Sequence, residues 1–159
     1  MLKVQNKSTK RIRIVLIIAF MAQILLTGTA YFLRFVYDGK LYQYTVLDMV
    51  YMIFKHDASA DLFSGVGIPV MMFSLFLILP VVALAFQIFD FYYNIKNVVG
   101  ILVSIAGVYM ILNFVGLANL GTASLLALLL YIFTAFMSVM GMMARYVKTA
   151  DNNNSNNKK

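Results

Sequence analysis

Residues 97–144 read NVVGILVSIAGVYMILNFVGLANLGTASLLALLLYIFTAFMSVMGMMA, with no Asp, Glu, Lys, Arg or His anywhere in the run. At 1.5 Å rise per residue such a stretch is roughly 72 Å of helix, more than twice the ~30 Å hydrocarbon core of a bilayer. It therefore crosses twice, with the turn at about Ala118 to Ala123, where Asn119, Gly121, Thr122 and Ser124 concentrate polarity. Outward from it, two further uncharged runs, Ile14 to Leu33 and Leu62 to Phe89, are each long enough to span once. The sequence predicts an all-α integral membrane four-helix bundle, with spans at about 14–34, 65–89, 97–117 and 123–145.

The composition agrees: 62% of residues are hydrophobic and 12% charged, against about 25% charged in soluble domains. With 159 residues, most of them in spans, little chain remains for a soluble catalytic or nucleic-acid-binding domain. The net charge of +7 reads as a topology signal. Lys3, Lys7, Lys10, Arg11 and Arg13 precede the first span, Lys96 lies between the second and third, and Arg145, Lys148, Lys158 and Lys159 follow the fourth. The segment between spans one and two holds Arg34, Lys40 and Lys55, outnumbered by Asp38, Asp48, Asp57 and Asp61. The positive-inside rule then puts both termini in the cytoplasm of a multi-pass plasma-membrane protein. Residues 1–13 form a basic cytoplasmic N-terminus, 14–145 the membrane domain, and 146–159 an Asn-rich tail expected to be disordered. Gly28 and Ala30 after an apolar run resemble a signal-peptidase site, but the run is longer than a typical signal core, so an uncleaved helix is expected.

The outer loop, 35–64, contains one patterned segment. Thr45 followed by Asp48 resembles an N-cap with an acidic first turn, and Leu47, Val50, Tyr51 and Phe54 recur at helical spacing, which predicts a short interfacial helix flanked by Tyr31, Tyr37, Tyr42 and Tyr44. Within the spans, Gly100, Ser104 and Gly107 share one face, and Ala127, Thr134, Ser138 and Gly141, with Tyr131 between Ala127 and Thr134, share another. Small-residue faces let helix backbones approach closely, either within the chain or against a partner. Gln23 and Asn113 are the candidate intramembrane polar groups. For Gln23 an interhelical hydrogen bond is the expected role, since an unpaired amide in hydrocarbon is expensive. Pro80 is the candidate hinge, because it removes a helical hydrogen bond deep within its span, whereas Pro69 sits where that loss is cheap.

The spans hold no ionisable group that could activate a Ser or Thr, and the chain has no Cys and a single His. No catalytic residue, metal ligand or cofactor is therefore expected. His56 with Asp57 and Asp61 reads as a solvated loop cluster, and Met137, Met140, Met142 and Met143 as packing residues.

A basic cytoplasmic turn at Lys96, a Gly-containing third span, a short polar outer hairpin and a fourth span ending in Gly and Met before a basic tail resemble the layout of small uncharacterised four-span membrane proteins of Gram-positive bacteria. The resemblance implies the four-span fold and a bacterial plasma membrane, and carries no residue-specific role. The expected function is that of a non-enzymatic accessory or regulatory protein that associates with membrane lipid and another integral membrane protein, or with itself, and not with nucleic acid. The alternative is a homo-oligomeric channel or passive small-solute facilitator lined by Gln23 and Asn113.

Overall fold

A computed structural model describes residues 7–55, 70–89 and 94–156. His56, Asp57, Asp61, Pro69, Asp90 and the aromatic run 91–93 lie outside the described residues. The chain order is α1 (Lys7–Thr29), β1 (Leu33–Tyr37), β2 (Lys40–Tyr44), α2 (Val46–Lys55), a 3-10 turn (Val70–Ser74) leading into α3 (Leu75–Phe89), α4 (Ile95–Met110), a π-helical turn (Ile111–Val115), a 3-10 turn (Leu117–Asn119) and α5 (Thr122–Asn156).

The chain is mostly helical, and four of its helices are long and apolar enough to cross a membrane: Thr9–Thr29, Met72–Phe89, Ile95–Val115 and Thr122–Ala144. In space α1 touches α3 and α5, and α4 touches α3 and α5, so the four helices close a ring of neighbours. Leu16 and Phe20 of α1, Phe76 and Ala83 of α3, Val103 of α4 and Ala127 and Tyr131 of α5 fill its interior. The outward faces carry Ile18, Leu25, Leu102, Ile105, Leu129 and Phe136, each more than half exposed. Exposed apolar surface on every helix is the inverse of a water-soluble protein and suggests a multi-pass membrane protein.

Three sequence expectations are corrected. The chain is not all-α, because residues 33–44 form an antiparallel hairpin with Leu33 opposite Tyr44 and Tyr37 opposite Lys40. Its two-residue turn is Asp38-Gly39, with φ of 49° and 70°, the left-handed pair that matches the twist of the flanking strands. The first span also stops at Thr29, not residue 34, since Leu33 and Arg34 belong to β1. There the strand ladder and the stacking of Phe35 on Tyr42 (ring centroids 5.6 Å apart) and Tyr44 (6.2 Å) replace the helical hydrogen bonds. At the other end, α5 continues to Asn156 where a disordered tail was expected. Extending an existing helix needs no new nucleus, which compensates for the weak propensity of Asn.

The short helix expected in this segment is present as α2, with its N-terminus closed by a reciprocal cap. The Thr45 hydroxyl accepts from the Asp48 amide at 3.1 Å, while the Thr45 amide and hydroxyl donate to Asp48 Oδ2 at 3.0 and 2.8 Å. Val46 and Met49 are fully buried against the rest of the chain, Leu47 is half exposed with its Cδ1 lying over Gly28 of α1, and Tyr51 and Phe54 of the predicted stripe are more than half exposed. Pro80 is buried inside α3, which remains helical on both sides of it.

Candidate functional site

Two regions hold the polar side chains that a function could use: a buried seam between α4 and α5, and a cap over the helix ends beside the hairpin.

The seam follows from antiparallel packing of the two small-residue faces. Ser104 and Thr134 bring their hydroxyls to 2.8 Å. On one side of that pair, a methyl built on Gly107 would sit 2.5 Å from the Tyr131 ring; on the other, one built on Gly100 would sit 2.5 Å from Ser138 Oγ. Gly141 in turn faces Asn97. Each advance along α4 from Asn97 to Gly107 is matched by an equal retreat along α5 from Gly141 to Tyr131, so these four contacts are one continuous register. Extended outward, that register sets Ile111 opposite Ala127, both buried. The candidate residues Gly100, Ser104, Gly107, Ala127, Thr134, Ser138 and Gly141 thus come together within one chain, and all are buried.

The hydroxyls of the seam are held locally. Ser104 Oγ donates to the Gly100 carbonyl (2.7 Å) and Thr134 Oγ1 to that of Tyr131 (3.0 Å). Two protons serve three contacts, so the Ser104–Thr134 contact forms at the expense of one of these back-bonds. Gln87, which the sequence did not single out, reaches the same seam from α3. It is fully buried, its Nε2 donates to the Lys96 carbonyl at 3.2 Å, and the same atom lies 3.8 Å from the built Gly100 methyl. Nearby, the Arg13 guanidinium donates to the carbonyls of Gln87 and Ile88, both at 2.8 Å. A cation there satisfies orphan carbonyls and complements the negative end of the α3 dipole.

Gln23 and Asn113 do not meet. Gln23 is fully buried, but neither its Oε1 nor its Nε2 has a hydrogen-bond partner, so the expected interhelical bond is absent. Thr27, one turn on, bonds back to the carbonyls of Gln23 and Ile24 instead of to the amide. Asn113 is exposed on the π-helical turn and donates to the Tyr109 carbonyl at 2.8 Å. Gln87 Oε1, the Tyr131 hydroxyl and Ser138 Oγ are also buried without a partner. Among the described residues there is no cluster of metal-ligating side chains.

The cap is tied to the helices through backbone and aromatic contacts. The amides of Gly121 and Ala123 donate to the carbonyls of Phe32 (3.2 Å) and Tyr31 (3.0 Å). A Cβ at Gly121 would collide with the Tyr31 carbonyl, so this approach requires glycine. Phe32 is buried beside Phe76 and Phe73, with ring centroids 4.7 and 6.3 Å away. On the outer side, Val36, Leu41, Leu47, Tyr51 and Phe54 are at least half exposed.

No family model, no curated protein and no solved structure matches the chain.

Proposed function

We propose that this chain is a non-enzymatic accessory or regulatory protein of the plasma membrane that acts by associating with another integral membrane protein, in a sensor, exporter or toxin-immunity type of role. One observation carries the reading: residues 31–55, between the first two spans, fold onto the ends of α1, α3 and α5 as a hairpin and a capped helix, bury Phe32, Val46 and Met49 there, and leave Val36, Leu41, Tyr51 and Phe54 on the outside. A segment that only linked two spans would gain nothing from the Thr45–Asp48 cap or from the Phe32–Phe73–Phe76 cluster. A rigid platform presents a fixed surface to a partner at little ordering cost. The charge distribution supports a topology with both termini in the cytoplasm and this platform outside.

The internal seam also narrows where a partner could bind. Because the small-residue faces of α4 and α5 are consumed by each other, association would use the platform and the lipid-facing surfaces. A photo-crosslinking residue at Phe54 or Tyr51 in intact cells should give a defined adduct with one membrane protein, and Leu47→Asp should abolish it without loss of expression. Adducts with lipid alone, or adducts unchanged by Leu47→Asp, would refute this reading.

The alternative, a homo-oligomeric channel or passive facilitator, is favoured by the Gln23 amide, which is fully buried and has no protein partner. Amides can replace water around a permeant solute. Flux in liposomes that falls with Gln23→Leu would support it; absence of flux in the unmodified chain would exclude it.

A further inference from the structure

At the cap end of the molecule a cleft of about 430 Å³ opens between the hairpin and the start of α5, lined among others by Tyr31, Arg34, Gln43, Thr122, Leu125 and Leu126. We infer that this cleft binds the anionic head of a phospholipid, with one acyl chain lying along the outer face of α5. The inference rests on the membrane reading above.

The strand register places Arg34 directly opposite Gln43. Their side chains therefore stand together on the hairpin face away from the Phe35–Tyr42–Tyr44 stack. Both residues are exposed, and Arg34 makes no ion pair or hydrogen bond with any described residue. Among the described residues no carboxylate lines the cleft. The nearest acidic residues in sequence are Asp38, at the hairpin tip, and Asp48, whose carboxylate is engaged by Thr45. A guanidinium beside an amide donor matches the paired oxygens of a phosphodiester. The start of α5 adds partial positive charge to the same space.

The other half of the cleft selects a lipid over a soluble anion. Leu125 and Leu126 are about half exposed, and Leu129, Phe133 and Phe136 continue the exposed strip toward the middle of the span. A free phosphate would use the polar half only, whereas an amphiphile fills both. The cleft also sits where the first and fourth spans end, the depth of lipid headgroups.

The test is native mass spectrometry of the full chain in mild detergent, titrated with phosphatidylglycerol or with phosphatidylcholine of the same acyl chains. Phosphatidylglycerol should be retained about tenfold more strongly, because both lipids offer the phosphodiester but only phosphatidylcholine carries a choline cation that opposes Arg34. Arg34→Gln should bring the two lipids to parity, Arg34→Lys should keep part of the preference, and Leu125→Gln should weaken both lipids together. Equal retention of the two lipids, or a preference unchanged in Arg34→Gln, would overturn the inference. Displacement of bound phosphatidylglycerol by millimolar inorganic phosphate would overturn the lipid assignment in favour of a free-anion site. Loss of the chain from the carbonate-resistant membrane fraction would instead refute the membrane reading itself, so the two failures are distinguishable. Gln43→Ala, which leaves the charge in place, serves as a second variant should Arg34→Gln fail to fold, and should weaken phosphatidylglycerol retention more than phosphatidylcholine retention.

Discussion

Gly107→Ala tests the packing of the seam at its tightest point. The added methyl would lie 2.5–2.6 Å from Cε1, Cζ and Cε2 of Tyr131, so the ring must retreat by about 1 Å to reach ordinary contact at ~3.5 Å. Tyr131 is fully buried and cannot swing into open space, and overpacking of this kind costs about 1–3 kcal/mol. Alanine recovers at most about 1 kcal/mol of helix propensity over glycine. The net effect is a destabilisation of up to about 2 kcal/mol, or a melting midpoint lower by up to roughly 8 °C for a chain of this size. Thermal unfolding of the detergent-solubilised protein, followed by loss of its monodisperse chromatographic peak, measures it. Tyr131→Leu removes the three clashing atoms, so in that background Gly107→Ala should become neutral, a coupling visible in a double-mutant cycle. An alanine variant more stable than the parent, or the absence of coupling with Tyr131→Leu in the double-mutant cycle, would refute the close approach of α4 and α5.

Other outcomes follow from the cap and the topology. Thr45→Ala removes the hydroxyl that accepts the Asp48 amide and should cost about 1 kcal/mol, read as faster proteolysis within 46–55 while the spans stay protected. The Tyr44 phenol is held above its ordinary value of 10.0, first by burial and then by Tyr42 and Asp48. Because the folded value is the higher one, its contribution is present at neutral pH and lost as the pH rises above 10; Tyr44→Phe should remove that part of the alkaline decline in stability. The chain has no native Cys, so Asp38→Cys should react with a membrane-impermeant maleimide in intact cells and Lys96→Cys only after permeabilisation. The opposite pattern would invert the topology.

Much of the architecture could be read from residue spacing. Uncharged runs located the four apolar helices, and the small residues at 100, 104, 107, 134, 138 and 141 marked the seam, because helical periodicity identifies a face. Periodicity does not identify what covers that face. Whether the two stripes met each other or another chain depended on a tertiary register that no local pattern encodes. The Asp38-Gly39 pair between alternating apolar residues is a hairpin signal in its own right, masked at the level of periodicity by the long apolar helical run that precedes it. Gln87 had a signal too, as an amide at the end of an apolar span. Arg34 and Gln43 became a candidate site only once the hairpin register set them side by side and packing against α5 formed the cleft. The missing partner of Gln23 was not readable, since it depends on which side chains lie at the same depth on neighbouring helices.

In the proposed function, the folded cap presents a surface to another membrane protein. Site-specific photo-crosslinking in living cells, with probes at Phe54 on the cap and at Leu102 on the exposed face of α4, decides whether it does. Phe54 should give a single stoichiometric protein adduct, lost in Leu47→Asp, and Leu102 mainly lipid adducts. Lipid adducts from both positions, or self-adducts alone from Phe54, would contradict it.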